Sequence, residues 1–346
     1  MAWLSPALLA LIVFILTWLA TGAVLALAKR RALLAHPNER SSHTVPTPQG
    51  AGLALVPVLA ASWLVIGFLK ADTPLQIDVI VIAMIVLALI SLWDDLRTLN
   101  VAVRLAAQIL AVAAALWVMP FRGPFFAGLL APSLDLFAAA VLWVWFINLF
   151  NFMDGIDGIA GVQTISLGGG ITVAALLAGA DPALPWFGMT VLAAAFGFLW
   201  WNWQPAKIFL GDTGSVPLGF VLGWLLLTLA AEGQWVAALI LPLYYLADAT
   251  LTLVRRALRG EKIWRAHREH FYQRATQRGF SHAHVSSAVL VGNLCLIGLA
   301  AWAATGRTWQ PLLGAGAVTI LLLLYLSAGP TGRAATKPAA DRGDDA

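Results

Sequence analysis

The chain has 346 residues, 60% of them hydrophobic and only 11% charged, against roughly a quarter charged in ordinary soluble domains. This composition excludes a soluble enzyme, and the single cysteine, Cys295, excludes a disulfide framework and a thiolate metal site. The formal charge of +4 hints at a polyanionic partner until the basic residues are placed along the chain. They collect beside apolar runs rather than on a soluble face, so no nucleic-acid partner is expected.

In chain order, apolar runs of about 20 residues, each long enough to cross a bilayer as a helix, predict about eleven spans. These are 3–27, 52–69, 75–93, 103–119, 134–150, 159–177, 183–201, 216–231, 235–254, 285–304 and 309–327. The expected fold class is all-α, a polytopic transmembrane helical bundle. Residues 1–328 form its membrane domain, and 329–346 read as a disordered tail of Ala, Gly, Pro and charge that cannot build a core. Lys29, Arg30 and Arg31 follow the first span, which marks a membrane helix with its N-terminus outside rather than a cleaved signal. Alternating from there, 18 of the 21 Lys and Arg residues fall on one side, and only Lys70, Arg122 and Arg307 on the other. The positive-inside rule makes the rich side, and the C-terminus, cytoplasmic. The external loops carry Asp72, Asp78, Asp135, Asp181 and Glu232 singly, as ordinary solvated caps.

The unusual polar residues gather in the cytoplasmic segments. In the first loop, Ser42, His43 and the Gly50-Ala-Gly52 exit suit a nucleotide-phosphate wall, with a plain Pro/Gly connector as the competing reading. Next, a span runs into Asp94-Asp95, and Arg104 and Gln108 follow on the next span, one helical turn apart. Two adjacent acids can divide metal binding and proton removal between them. Asn148 and Asn151 are three residues apart, as are Asp154 and Asp157, so each pair shares a face if the stretch is helical. Gly155 and Gly158 admit close backbone approach. Hard oxygen ligands of this kind suit Mg²⁺, which takes one or two carboxylates and completes its shell with water and substrate phosphate.

The run Lys207-Ile-Phe209-Leu-Gly211-Asp212-Thr213-Gly214-Ser215 stands just before a span. Asp212 or Ser215 could simply cap that helix. Alternatively, the Gly-rich turn presents N–H groups to a phosphate while Asp212 holds a metal and Lys207 neutralises further charge. The last large loop is basic and contains His267, Arg268 and His270. Imidazole and guanidinium binding of a diphosphate fits it better than a His metal site.

Together these five segments resemble the polyprenyl-phosphate N-acetylhexosamine-1-phosphate transferases, the glycosyltransferase family 4 superfamily that includes phospho-N-acetylmuramoyl-pentapeptide transferase. The motifs run from about Asn38 to Arg278 in family order. The resemblance implies that Asp94 and Asp95 form the paired acidic motif and that Asn151, Asp154 and Asp157 form the nucleotide-site motif. It likewise implies Asp212 as the Mg²⁺ ligand, Phe209 as an aromatic stacking on uracil, and His267 and His270 as the histidine motif. Mn²⁺ is the alternative cation. The HREH sequence departs from the triple-histidine run of the muramoyl-pentapeptide enzymes and disfavours that substrate. No third acid stands four positions after Asp94. The HREHFYQR form looks most like the branch that starts O-antigen or other surface glycans.

The expected reaction is transfer of N-acetylhexosamine 1-phosphate, or a deoxy relative, from a UDP-sugar to polyprenyl phosphate in the bacterial inner membrane, releasing UMP. Asp94 or Asp95 would take the proton of the lipid phosphate, whose second pKa is about 6 by analogy with other phosphate monoesters. Lys207, His267, Arg268 and His270 would hold phosphate charge, and the apolar spans a prenyl tail. The oligomeric state is open, with a homodimer as the candidate. A CDP-alcohol phosphatidyltransferase is the rival enzyme, but its signature needs Ala-Arg where Asp157-Gly158 stands. A transporter is the rival from another class; it would place acids near span midpoints, and the chain has no internal repeat of the kind duplicated transporters carry.

Overall fold

The computed structural model describes residues 5–30, 34–35, 46–70, 74–97, 99–119, 123–262 and 267–329. Apart from a two-residue antiparallel ladder between β1 (Leu34–Ala35) and β2 (Thr47–Pro48), the architecture is helical. In order, the helices are α1 (Pro6–Arg30), α2 (Gly52–Lys70), α3 (Pro74–Leu96), α4 (Val101–Val118), α5 (Pro132–Phe152), α6 (Ile159–Ala178), α7 (Leu184–Asn202), α8 (Asp212–Leu229), α9 (Trp235–Ile240), α10 (Leu243–Leu258), α11 (Phe271–Gln277), α12 (His282–Ala304) and α13 (Trp309–Ala328). Among the described residues, ten helical stretches are long and apolar enough to cross a membrane, so the protein is an all-α, multi-pass membrane protein. The expected tail lies, apart from Gly329, outside the described residues.

The ninth expected span, 235–254, is divided. After α8 the chain makes a wide turn over Ala230–Gln234, with Gly233 at φ 85°, and α9 then runs only six residues. Pro242 has no N–H to continue the ladder, and α10 follows with Asp248, Thr250, Thr252, Arg255 and Arg256 along its length. These polar residues keep it below the hydropathy of a lipid-facing span.

Aromatic packing fixes the middle of the bundle. Trp63 of α2 is fully buried, donates its indole N–H to Thr190 Oγ1 at 3.2 Å, and meets Phe187 and Trp224 at 4.8 and 5.3 Å between ring centroids. Trp143 of α5 stacks on Phe220 and donates to that residue's carbonyl at 2.9 Å. Both tryptophans thus bury large apolar area while their one polar atom stays hydrogen-bonded.

One acid expected to be a solvated cap is not solvated. Asp135, in the first turn of α5, is 5% exposed, and its two oxygens accept the N–H groups of Phe125 and Phe126, each at 3.0 Å. It holds a buried turn, which needs a carboxylate because the two amides would otherwise lack partners.

Candidate active site

At the other end of α5 the polar residues meet. The C-terminus of α3 delivers Asp94 and Asp95. Asp94 closes the α3–α4 turn by accepting the Leu99 N–H at 2.7 Å, and its second oxygen accepts Arg104 Nη1 at 2.7 Å. Asp95 accepts the Thr213 hydroxyl at 2.9 Å, which ties α3 to the first turn of α8. Arg104 also lies 3.7 Å from Asp212 Oδ2, so one guanidinium stands between two carboxylates.

Asn148 and Asn151 lie near the end of α5. Asn148 Nδ2 donates to Gln108 Oε1 at 2.6 Å. Asn151 Nδ2 donates to Asp212 Oδ1 and Ser215 Oγ, both at 2.8 Å. The paired aspartates separate in role. Asp154 is half-buried, and burial, then the negative charge of Asp212, push its carboxyl up to about 7. Asp157 is 8% exposed; it accepts the Ala206 N–H at 3.1 Å and faces His282 Nδ1 at 3.2 Å. It therefore latches the α5–α6 connection to the loop before α8 and to α12.

Asp212 opens α8 directly after Gly211, at φ 74°, where its side chain is partly exposed. The loop leading to it is clamped by the exit of the first loop. Phe209 donates its N–H to the Pro48 carbonyl at 2.8 Å, and its own carbonyl accepts from Gly50 and Ala51 at 3.1 and 3.0 Å. A Cβ on Gly52 would come within 2.3 Å of the Gly214 nitrogen, so the two backbones touch where no side chain fits between them. Phe209 is half-buried and Lys207 exposed, with its ammonium 5.3 Å from the Trp201 ring centroid. Ser42 and His43 lie outside the described residues.

The histidine loop approaches from the α10 side. His270 is 2% exposed, its ring 4.8 Å from that of His267, and its Nδ1 3.2 Å from Asp248 Oδ1. His267 Nδ1 accepts the Glu269 N–H at 3.3 Å. The Arg268 carbonyl accepts from Gln277 Nε2 at 2.8 Å. Partial burial favours the neutral form of Glu269, yet the hydrogen bond from Arg259 and the charges of Arg259, Arg256 and Arg274 hold its carboxyl below the usual range. Tyr272 donates its hydroxyl to the Phe152 carbonyl at 3.1 Å. A Cβ on Gly155 would lie 2.1 Å from that hydroxyl oxygen.

Asp94, Asp95, Asn148, Asn151, Asp154 and Asp212 thus form one cluster with Arg104, while Asp157, Lys207 and Phe209 belong to the adjoining loop. The cluster stands at the head of a cavity of about 560 Å³, whose walls continue through Ser91, Gln108 and Val216 into Leu87, Val141, Trp145 and Leu253. Among the described residues no three His, Cys, Asp or Glu side chains are placed to cage a metal. The crowded Asp154 and Asp212 carboxylates fit Mg²⁺ instead, which needs one or two such ligands and otherwise takes water and phosphate. Asp248 lay beyond the sequence reading; its signal was a lone acid in an apolar run.

The family model described as glycosyl transferase family 4 matches residues 77–230. A decaprenyl-phosphate N-acetylglucosaminephosphotransferase from Mycolicibacterium smegmatis is 31% identical over 371 residues, which cover 94% of this chain and 90% of that protein. A probable undecaprenyl-phosphate N-acetylglucosaminyl 1-phosphate transferase from Bacillus subtilis is 29% identical, covering 78% of each chain. A phospho-N-acetylmuramoyl-pentapeptide-transferase from Thermosynechococcus vestitus is 29% identical over 59% of this chain and 57% of its own. The family match runs through the acid pair, the Asn/Asp segment and the Asp212 loop, and the chain belongs to glycosyl transferase family 4, the superfamily of polyprenyl-phosphate sugar-1-phosphate transferases, as a membrane phosphoglycosyl transferase.

Proposed function

We propose that the protein transfers N-acetylhexosamine 1-phosphate, or a deoxy relative, from a UDP-sugar to polyprenyl phosphate, with undecaprenyl phosphate the acceptor, and releases UMP. The observation that carries this reading is that Arg104 and Asp212, backed by Asp94, Asp95 and Asp154, line the head of a largely apolar cavity. An anionic head and a hydrocarbon tail are the two parts of the acceptor, and each has a complementary surface. The relatives named for polyprenyl-phosphate N-acetylglucosamine transfer support the same reading.

Like-charge repulsion between two phosphate substrates is the obstacle. Mg²⁺, held by Asp212 with Asp154 beside it, would neutralise the diphosphate and the departing UMP. Arg104 reaches over the head of the groove, where it can draw in the acceptor phosphate. Asp94 is committed to the Arg104 guanidinium and the Leu99 amide, whereas Asp95 is held by the neutral hydroxyl and backbone of Thr213, so Asp95 is the carboxylate left to take the acceptor proton. Direct attack on the β-phosphorus then needs no protein nucleophile. Asn151 holds Asp212 in place, Phe209 offers a face to the base, and Lys207, His267 and Arg268 face phosphate charge. The step fits the start of O-antigen or another surface glycan at the bacterial inner membrane, with the site cytoplasmic as the basic asymmetry indicates.

UMP release measured in sealed vesicles tests the reaction and the orientation together, across a panel of membrane-impermeant UDP-sugars. Inside-out vesicles containing polyprenyl phosphate and Mg²⁺ should release UMP with at least one UDP-N-acetylhexosamine, and right-side-out vesicles should not. Release without acceptor lipid, or none from any donor, would overturn the proposal.

A further inference from the structure

We propose that Asp248 is a positioning residue that sets the histidine loop in register with the Asn151–Asp157 segment for the transfer step; this deepens the transferase reading and rests on it. Asp248 lies on α10 and is 0% exposed. A carboxylate buried this completely is tolerated only when its oxygens are satisfied. Here Oδ1 accepts the Phe271 N–H at 2.9 Å and the Thr252 hydroxyl at 3.4 Å, and faces His270 Nδ1 at 3.2 Å. Oδ2 accepts the Tyr272 N–H at 3.2 Å and the Tyr244 hydroxyl at 3.1 Å. One side chain therefore gathers both amides at the start of α11 and the imidazole beside them.

Three consequences reach the site. First, a ring nitrogen facing a carboxylate carries the proton, so His270 is held as the Nδ1–H tautomer with its plane fixed. These protons are assigned from the hydrogen-bond network. Second, the fixed His270 ring backs the His267 ring at 4.8 Å. His267 Nδ1 already accepts the Glu269 amide, so its proton is on Nε2, a donor available to a phosphate oxygen. Third, Tyr272, whose amide Asp248 holds, sets its hydroxyl on the Phe152 carbonyl and against Gly155, one residue from Asp154. Burial, then the nearby Asp248 and Asp154 charges, push the Tyr272 phenol well above its usual range, which keeps it a donor. Asp248 needs no contact with substrate for any of this.

The test uses the full-length enzyme in lipid nanodiscs with ¹⁵N-labelled histidine. The chain has six histidines, and the His270 signals are assigned by their loss in His270→Gln. The wild type should show His270 protonated at Nδ1. Asp248→Asn keeps the shape but can accept only one of the two α11 amides, and with its NH₂ group at the Oδ1 position, which leaves the oxygen for the Tyr272 N–H and the Tyr244 hydroxyl, it opposes an Nδ1–H. We expect His270 to change to the Nε2–H tautomer and kcat to fall about 10- to 100-fold, the usual loss when the partner orienting a functional histidine is removed. KM for the UDP-sugar should stay within about twofold, because uniform binding is untouched. An unchanged tautomer with kcat near wild type, or a loss confined to KM, would overturn the proposal. Should Asp248→Asn fail to elute as a folded protein, the wild-type spectrum decides alone: Nε2–H on His270 overturns it and Nδ1–H supports it. A wild type that turns over no UDP-sugar sinks the transferase reading, while its histidine spectrum still reports whether Asp248 holds the loop.

Discussion

The two ends of α5 use acids in opposite ways. Asp135, at its start, binds amides only 10 and 9 residues away, and Asp181, beyond α6, caps an amide two residues on. Near the end of α5, about 24 Å away by helical rise, Asn151 reaches Asp212 across 61 residues, Asp95 reaches Thr213 across 118, and Tyr272 reaches Phe152 across 120. Acids at the first end finish a local turn. Those at the second end, including Asp94, which also closes its own α3–α4 turn, are brought together from separate segments and left crowded, with Arg104 standing between two of them. Local satisfaction stabilises a fold, whereas gathered negative charge is useful only where another charge is to be held.

The sharpest way to break this contrast is Asp212→Asn, which removes one charge from the cluster with little change of shape. Turnover should be abolished while the protein elutes and melts as the wild type does. Retention of more than about a tenth of kcat/KM, a loss under about 1.4 kcal/mol, would remove Asp212 from the metal role. Next in size is Gly155→Ala, which tests whether the gathered end depends on long-range fit. A methyl 2.1 Å from the Tyr272 oxygen forces the histidine loop away at a cost of about 1–3 kcal/mol, and activity should drop with it. Adding Tyr272→Phe removes the nearest atom and should restore part of the loss. A single variant with wild-type activity would show that the loop is not registered here. Smallest is Asp135→Asn at the local end. Chemical denaturation or thermal melting should show a loss of about 1–3 kcal/mol, since one amide keeps a neutral acceptor and the other loses its partner. Turnover per folded molecule should not change, and a drop there would erase the distinction between the ends.

Much of the site was legible because chemistry-bearing residues were dense and stood at span ends. Asp94, Asp95, Asn151, Asp154 and Asp212 could be nominated from residue type and spacing alone. Spacing could not say which neighbour each would find. Asp154 and Asp157 look alike in sequence, yet the first stays beside Asp212 while the second is engaged by Ala206 and His282, a difference set by how α12 packs. Asp248 was invisible for the opposite reason, as one acid in an apolar run has no pattern until the histidine loop folds back onto it. The apolar run over 235–254 likewise gave no warning of a division, because hydropathy averages over Pro242 and geometry does not.

The cavity beneath Arg104 is walled partly by Val101, Leu105 and Val141, side chains exposed on the lipid-facing surface of α4 and α5. A tailed acceptor therefore arrives sideways, by diffusion within the membrane plane. Its concentration is a mole fraction of the bilayer, not a molarity in the tube. Diluting the acceptor with inert phospholipid at constant bulk amount should slow the enzyme, while diluting the whole suspension with buffer, at fixed nucleotide-sugar concentration, should leave the rate per enzyme unchanged.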